Sequence, residues 1–292
     1  MSATLTLLDS LIDYAGLFPP VSLPAAEAVR KHAANLHGPD AALLGRFVLP
    51  VARLAEFERE YAGLPTATQT GWKLSVLASA DPVSDFAAIQ SFNFRHSGAR
   101  IVAWETKAAT PQDIAHAVAP FPDNFEVWVE IPLLGDAAPL LQAIKSAGRG
   151  AKIRTGGATP ELFPPVTDVI HFLSACHTAG VAFKATAGLH HALHRHYPLS
   201  EQAGSTQVSM FGFLNLFLAA VYLHSGGNAG YALALLGDTD PGAFQATPEA
   251  ILWRGHPFTI AQISASRREF CRSFGSCSFA EPIDELHGLG WL

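Results

Sequence analysis

Charge is scarce in this chain. Only 15% of its 292 residues are Asp, Glu, Lys or Arg, against 49% hydrophobic. The net charge of −6 and a pI near 6.1 argue against a general nucleic-acid partner, and no basic stripe with interleaved aromatics offsets that. Cysteine is also rare. Cys176, Cys271 and Cys277 form no CxxC pair and leave an odd count. This suits a reducing cytoplasm better than a disulfide framework. Long apolar runs are missing despite a mean hydropathy of +0.21. The longest, Met210 to Leu223, is interrupted by Gly212 and Asn215 and is too short for a membrane span. A buried helix is the expectation there, with an assembly surface for a homo-oligomer as the alternative. The N-terminus lacks a basic lead and carries Asp9 and Asp13 early, unlike a signal peptide. Low-complexity tracts, charge blocks and solenoid-length repeats are absent too. The expected protein is therefore cytoplasmic, with neither membrane nor nucleic acid as partner.

What is present is a rhythm. Short apolar runs recur every 25 to 35 residues: Leu11–Leu17, Arg46–Leu49, Lys73–Leu77, Ile101–Glu105, Glu126–Ile131, Ala151–Arg154 and Val181–Thr186. Between them, Ala25–Leu36, Val51–Leu64, Pro111–Ala119, Pro139–Ala147 and Val166–Ala179 carry helix-like spacing. Alternating strand and helix units of this number predict an α/β fold, a (β/α)8 TIM barrel of one domain over 1–292. Two segments compete for the eighth strand, Val208–Phe213 and Phe270–Gly275. Choosing the second leaves 189–269 as a large, mostly helical insertion between strands 7 and 8. From the face where the strands end, it is expected to cover the site like a lid.

On that face fall Asp13, Glu105, Glu130, Lys152, Arg154, Lys184 and Thr186. Strand alternation puts Lys152 and Arg154 on one side, and Lys184 and Thr186 likewise. Lysine is costly to bury, so two at neighbouring strand ends suggest a site that uses an amine. The structural alternative is a set of ion pairs at the sheet rim. Glu105 and Glu130, or an anionic substrate, would balance three converging cations.

These residues resemble deoxyribose-phosphate aldolase and its class I aldolase relatives. In that family the sixth strand carries K-T-S-T-G; here stands Lys152-Ile153-Arg154-Thr155-Gly156. The seventh carries G-V-x-F-K-x-x-G-G; here it reads Gly180-Val181-Ala182-Phe183-Lys184-Ala185-Thr186-Ala187-Gly188. The first strand, near I-D-H-T-L-L, is matched by Ile12-Asp13-Tyr14-Ala15-Gly16-Leu17. A closing G-T-S-S phosphate loop is matched by Gly275-Ser276-Cys277-Ser278, which is why the eighth strand is set at Phe270. The resemblance implies a cofactor-free lyase in which Lys152 forms an imine with a small carbonyl substrate. Lys184 would keep part of the Lys152 amine neutral, and Asp13, Glu105 and Glu130 complete the expected catalytic set, with Glu105 in the proton relay. Thr155, Thr186, Gly188 and the 275–278 loop, including Cys277 and Ser278, would hold a phosphate or carboxylate. Glu105 is the nearest substitute for the family's fourth-strand aspartate and is slightly displaced. Arg154 replaces a serine and favours a carboxylate-bearing substrate such as a keto acid.

One rival enzyme reading starts from four histidines in seven positions, His190, His191, His194 and His196. On a helix His190 and His194 would share a face. With His191 they would make a metal site for a metal-dependent lyase or hydrolase. A non-catalytic barrel that binds a small anion is the third reading.

Overall fold

The computed structural model describes residues 1–199 and 204–292; residues 200–203, within the expected insertion, lie outside it. Seven parallel strands follow in chain order: β1 (Ile12–Tyr14), β2 (Leu44–Pro50), β3 (Trp72–Leu77), β4 (Ala99–Lys107), β5 (Glu126–Glu130), β6 (Gly150–Arg154) and β7 (Phe183–Thr186). Next come an antiparallel pair, β8 (Arg195–Pro198) and β9 (Gln207–Met210), and a three-stranded sheet, β10 (Phe244–Ala246), β11 (Ala250–Trp253) and β12 (His256–Thr259). The last strand, β13 (Cys271–Ser276), pairs in parallel with both β7 and β1 and closes the ring. The fold is a (β/α)8 TIM barrel.

Helices α1 (Ala3–Leu8), α2 (Ala25–Leu36), α3 (Leu54–Ala62), α4 (Pro82–Arg95), α5 (Pro111–Val118), α6 (Ala138–Ser146) and α7 (Val166–Ala179) alternate with the strands. They are followed by α8 (Phe213–His224), α9 (Ala229–Leu236), α10 (Ile260–Glu269) and α11 (Ala280–Gly288). Local chemistry fixes their ends. A Thr110–Asp113 capping box opens α5, and the left-handed Gly180 closes α7.

The stretch 189–269 differs from the expected insertion in two ways. It mixes three helices with two small antiparallel sheets, and its longest helix is part of the barrel wall. Helix α8 is buried along nearly its whole length. Its Phe213 stacks on Phe274 of β13 at 5.1 Å, and Phe217 on Phe183 of β7 at 6.3 Å. An apolar helix against two outward-facing aromatics is the packing a β–α–β crossover requires. The one polar side chain buried in it, Asn215, is satisfied at both ends. It accepts the His194 amide and donates to the carbonyls of Leu235 and Asp238. Met210–Leu223 is thus a core helix with its lead-in, and the rival eighth strand at 208–213 lies partly in β9. Among the described residues no helix is long and apolar enough to cross a membrane.

Candidate active site

Strand alternation decides what enters the barrel. Ala151, Ile153 and Ala185 point outward and are wholly buried under helices, so Lys152, Arg154, Lys184 and Thr186 take the interior and the mouth. Lys152 and Lys184 are paired neighbours in the β6–β7 register.

The two amines meet on one carboxylate. Lys152 Nζ lies 3.0 Å from Glu105 Oε2, and Lys184 Nζ lies 2.6 Å from Glu105 Oε1. Lys152 also reaches Glu130 Oε2 at 3.1 Å, and Lys184 reaches Asp13 Oδ2 at 2.7 Å. Arg154 Nε approaches the other Glu130 oxygen at 3.3 Å, with Lys107 at 3.2 Å from the same atom. At the inner end, Asp13 accepts from the Arg46 amide at 2.8 Å, and Arg46 pairs with Glu126 at 2.6 Å. The result is a ladder of alternating sign through the barrel: Arg154, Glu130, Lys152, Glu105, Lys184, Asp13, Arg46, Glu126. Ser75 and Ser273 fill remaining lone pairs on Glu105 and Asp13, at 2.6 and 2.8 Å.

The electrostatics follow from this contact order. Burial alone would raise the Glu105 carboxyl, but Lys184 and Lys152 outweigh it and hold the group well below the usual carboxylate range. The same competition, burial against Lys184 and Arg46, lowers Asp13. Glu130 is lowered by Lys152, Arg154 and Lys107 against its own burial. Burial pushes Lys184 down, yet Asp13 and Glu105 more than offset it, so Lys184 is held as an ammonium. The expected role of Lys184 is therefore altered: a carboxylate stands between it and Lys152 and absorbs much of its field.

The mouth is a cavity of about 320 Å³, the size of a small metabolite. Lys152, Lys184, Arg154 and Glu105 line it together with Thr186, Gly188, Gly275 and Cys277. The charged side chains on its wall are three cations and one carboxylate, while the other two acids that pair with these cations, Glu130 and Asp13, lie outside it. A larger, more open cleft of about 610 Å³ adjoins it and shares Arg154 and Leu162; apolar residues dominate its walls. The expected lid is absent from the described part of 189–269, of which only His190 lines the cavity. Its walls come instead from Phe18, Pro19 and Pro20 after β1 and from Gly157, Ala158 and Leu162 after β6.

Two glycines let the loops after β6 and β7 approach closely beside the mouth. Gly156 and Gly188 lie back to back: a Cβ on Gly156 would come within 2.7 Å of the Gly188 Cα, and one on Gly188 within 2.8 Å of the Gly156 Cα. Gly188 also has φ of +74°, which L side chains rarely adopt. Gly45 plays a comparable part below, since a Cβ there would sit 2.3 Å from Asp13 Oδ1.

Several expected contacts are not made. Thr155 is sealed and donates its hydroxyl to the Ala187 carbonyl at 2.5 Å, tying the β6 and β7 loops together. Ser276 is buried and accepts from the Ser278 amide, while Ser278 Oγ accepts from Glu281 N at the start of α11. Of the 275–278 loop, only Gly275 and Cys277 reach the cavity. Neither Asp13 nor Glu130 lines the mouth: Asp13 lines a cavity below it, and Glu130 lines the neighbouring cleft.

The histidines do not gather, and residues 190–194 form no helix. His191 bonds Glu285 at 2.5 Å and stacks on Tyr197 at 3.4 Å, and His194 bonds Ser209 at 3.0 Å. Among the described residues no three or more His, Cys, Asp or Glu are placed to hold a metal. His190 alone reaches the mouth, with Nδ1 3.6 Å from Cys277 Sγ. Burial raises the Cys277 thiol to about 11, and burial with His191 nearby lowers His190 to about 4. The pair is a neutral thiol beside a neutral imidazole, not an activated nucleophile.

Arg46, Ser75 and Ser273 are the site residues that sequence reasoning missed. Each is a polar residue at an inward position of a strand, a weak cue until the ring is closed. No family model, no curated protein and no solved structure matches the chain.

Proposed function

We propose that the barrel mouth is the site of a Schiff-base, class I aldolase-like lyase. Its substrate would be a small carbonyl compound carrying a carboxylate or phosphate. The observation that carries this reading is the convergence of two buried lysines on Glu105 in the wall of the mouth cavity. Lys152, the outer of the two, is the nucleophile. One ammonium proton passes to solvent in the cavity, and the amine nitrogen then adds to the carbonyl carbon. The resulting carbinolamine loses water to form an iminium. The substrate's β-hydroxyl gives its proton to solvent and becomes the carbonyl of the released fragment, while the electron pair of the breaking C–C bond passes to the iminium to give an enamine. Protonation of the enamine carbon and addition of water to the regenerated iminium then release the second product and the free amine. Arg154, whose one ion-pair partner among the described residues is Glu130, turns its free guanidinium edge to the substrate's anionic group. The likeness to the deoxyribose-phosphate aldolase motifs agrees with these assignments.

Borohydride reduction in the presence of a panel of keto acids and phosphorylated aldehydes tests the proposal. One substrate should leave a stable mass increment on Lys152, and Lys152→Met should abolish it while the protein stays folded. Labelling of another lysine would move the nucleophile; no labelling by any compound would overturn the chemistry. In that last case the double ion pairing of Lys152 favours the second reading, a barrel that binds small anions without turnover. Such a barrel would be stabilised by the same compounds yet never trapped.

A further inference from the structure

The far end of the barrel holds a second cavity, of about 240 Å³, where β2, β3 and β13 begin and α10 ends. Five of the chain's 19 lysines and arginines line it: Arg46, Lys73, Arg267, Arg268 and Arg272. That concentration is unexpected in a protein of net charge −6. Like charges gathered in one concavity repel, so each needs a counterweight.

Two of them pair with a carboxylate, and a third is enclosed by backbone carbonyls. Arg46 pairs with Glu126, and Arg268 with Glu269. Arg267 is held by the backbone carbonyls of Asp9, Cys271 and Arg272. Lys73 and Arg272 have no counterweight: among the described residues neither is within ion-pair distance of a carboxylate. The Arg272 guanidinium is steered by a hydrogen bond to the Arg268 carbonyl, which orients it without neutralising it. The cavity's one acid, Asp13, is already engaged by Lys184 and by the Ser273 hydroxyl. An unneutralised cationic pocket, with one guanidinium fixed by its own backbone, has the make-up of an anion receptor.

We propose that this cavity binds a small polyanion of the phosphate or pyrophosphate class, gripped mainly by Lys73 and Arg272. The inference is independent of the chemistry assigned to the mouth. It differs from the usual reading of a barrel's N-terminal face, where polar residues serve stability.

Calorimetric titration with inorganic pyrophosphate separates the two ends. The mouth variant Arg154→Gln should retain the floor binding. Lys73→Gln alters an exposed side chain, and should weaken it several-fold. Lys73→Gln with Arg272→Gln should weaken it by about tenfold or more and flatten its salt dependence. Circular dichroism would show whether the double variant is folded, and Lys73→Gln decides alone if it is not. Two results would overturn the proposal: no binding to the wild-type protein, or binding removed by Arg154→Gln and untouched by Lys73→Gln.

Discussion

Replacing Glu105 by leucine is expected to cost the protein about 3–5 kcal/mol, the usual penalty for orphaning buried charge. Glu105 is the middle of the ionic ladder, 3% exposed, with a lysine on each oxygen. Removing it leaves Lys152 with Glu130 and Lys184 with Asp13 and strands the Ser75 hydroxyl. The loss should therefore exceed that for an ordinary buried polar residue. Glu105→Gln keeps the shape and one acceptor, so it should lose less. Adding Lys184→Met to Glu105→Leu also takes the lysine from Asp13, which keeps Arg46 and Ser273, and should cost less than the two single losses summed. Urea denaturation of the three variants and of Lys184→Met alone checks this. A loss below about 1 kcal/mol in Glu105→Leu would show that the ladder is not a structural unit.

The second large effect lies outside the mouth, at His32. Its ring is fully buried among Tyr14, Phe47 and Trp72, at centroid distances of 5.9, 5.2 and 4.5 Å, and among the described residues neither nitrogen has a hydrogen-bond partner. Burial lowers its pKa from 6.5 to about 3, with Asp13 pulling weakly the other way. The folded value is depressed, so between these limits the unfolded chain binds a proton that the folded chain refuses. Stability from this group is complete above pH 6.5 and falls as the pH drops toward about 3. His32→Phe removes both the titration and the two unpaired nitrogens. Relative to wild type, the variant should gain about 2–3 kcal/mol more at about pH 4.5 than near pH 7. Denaturation curves for both proteins at the two pH values give the answer; stability curves that run parallel would mean that water or motion relieves the burial.

The barrel was legible because each unit contributes its own short apolar run and its own helix stops. Helices α2 and α7 stand where their spacing places them, α7 closed by Gly180. Helix α4 is faint in sequence, since it buries only Asp85, Ile89 and Phe92. The crossover role of α8 was illegible for a different reason. Its apolar surface runs all the way round, so the sequence shows burial without showing which neighbours cover it. In the site, alternation put Lys152 with Arg154 and Lys184 with Thr186, and the strand-end positions of Glu105, Glu130 and Asp13 let them meet the two lysines as ion pairs. The loop residues Thr155, Ser276 and Ser278 were harder, because a hydroxyl that ties two loops together has the same local sequence as one that faces a ligand.

The ladder also bears on how the chain reaches its folded state. Its acids Asp13 and Glu105 come from β1 and β4, while its lysines come from β6 and β7. A half-barrel built from the first four strands would hold Asp13 beside Arg46 but leave Glu105 without either of its lysines. The late strands alone would leave Lys152 with Glu130 and Lys184 without either of its carboxylates. Neither half can dry its interior cheaply, so charge matching ties the closing of the ring to its filling. Fluorescence of a variant that keeps Trp72 as its single tryptophan, in the early half, and circular dichroism of the whole chain should then report one coincident unfolding transition. Separate midpoints would mean that water shields the charges until the last strand arrives.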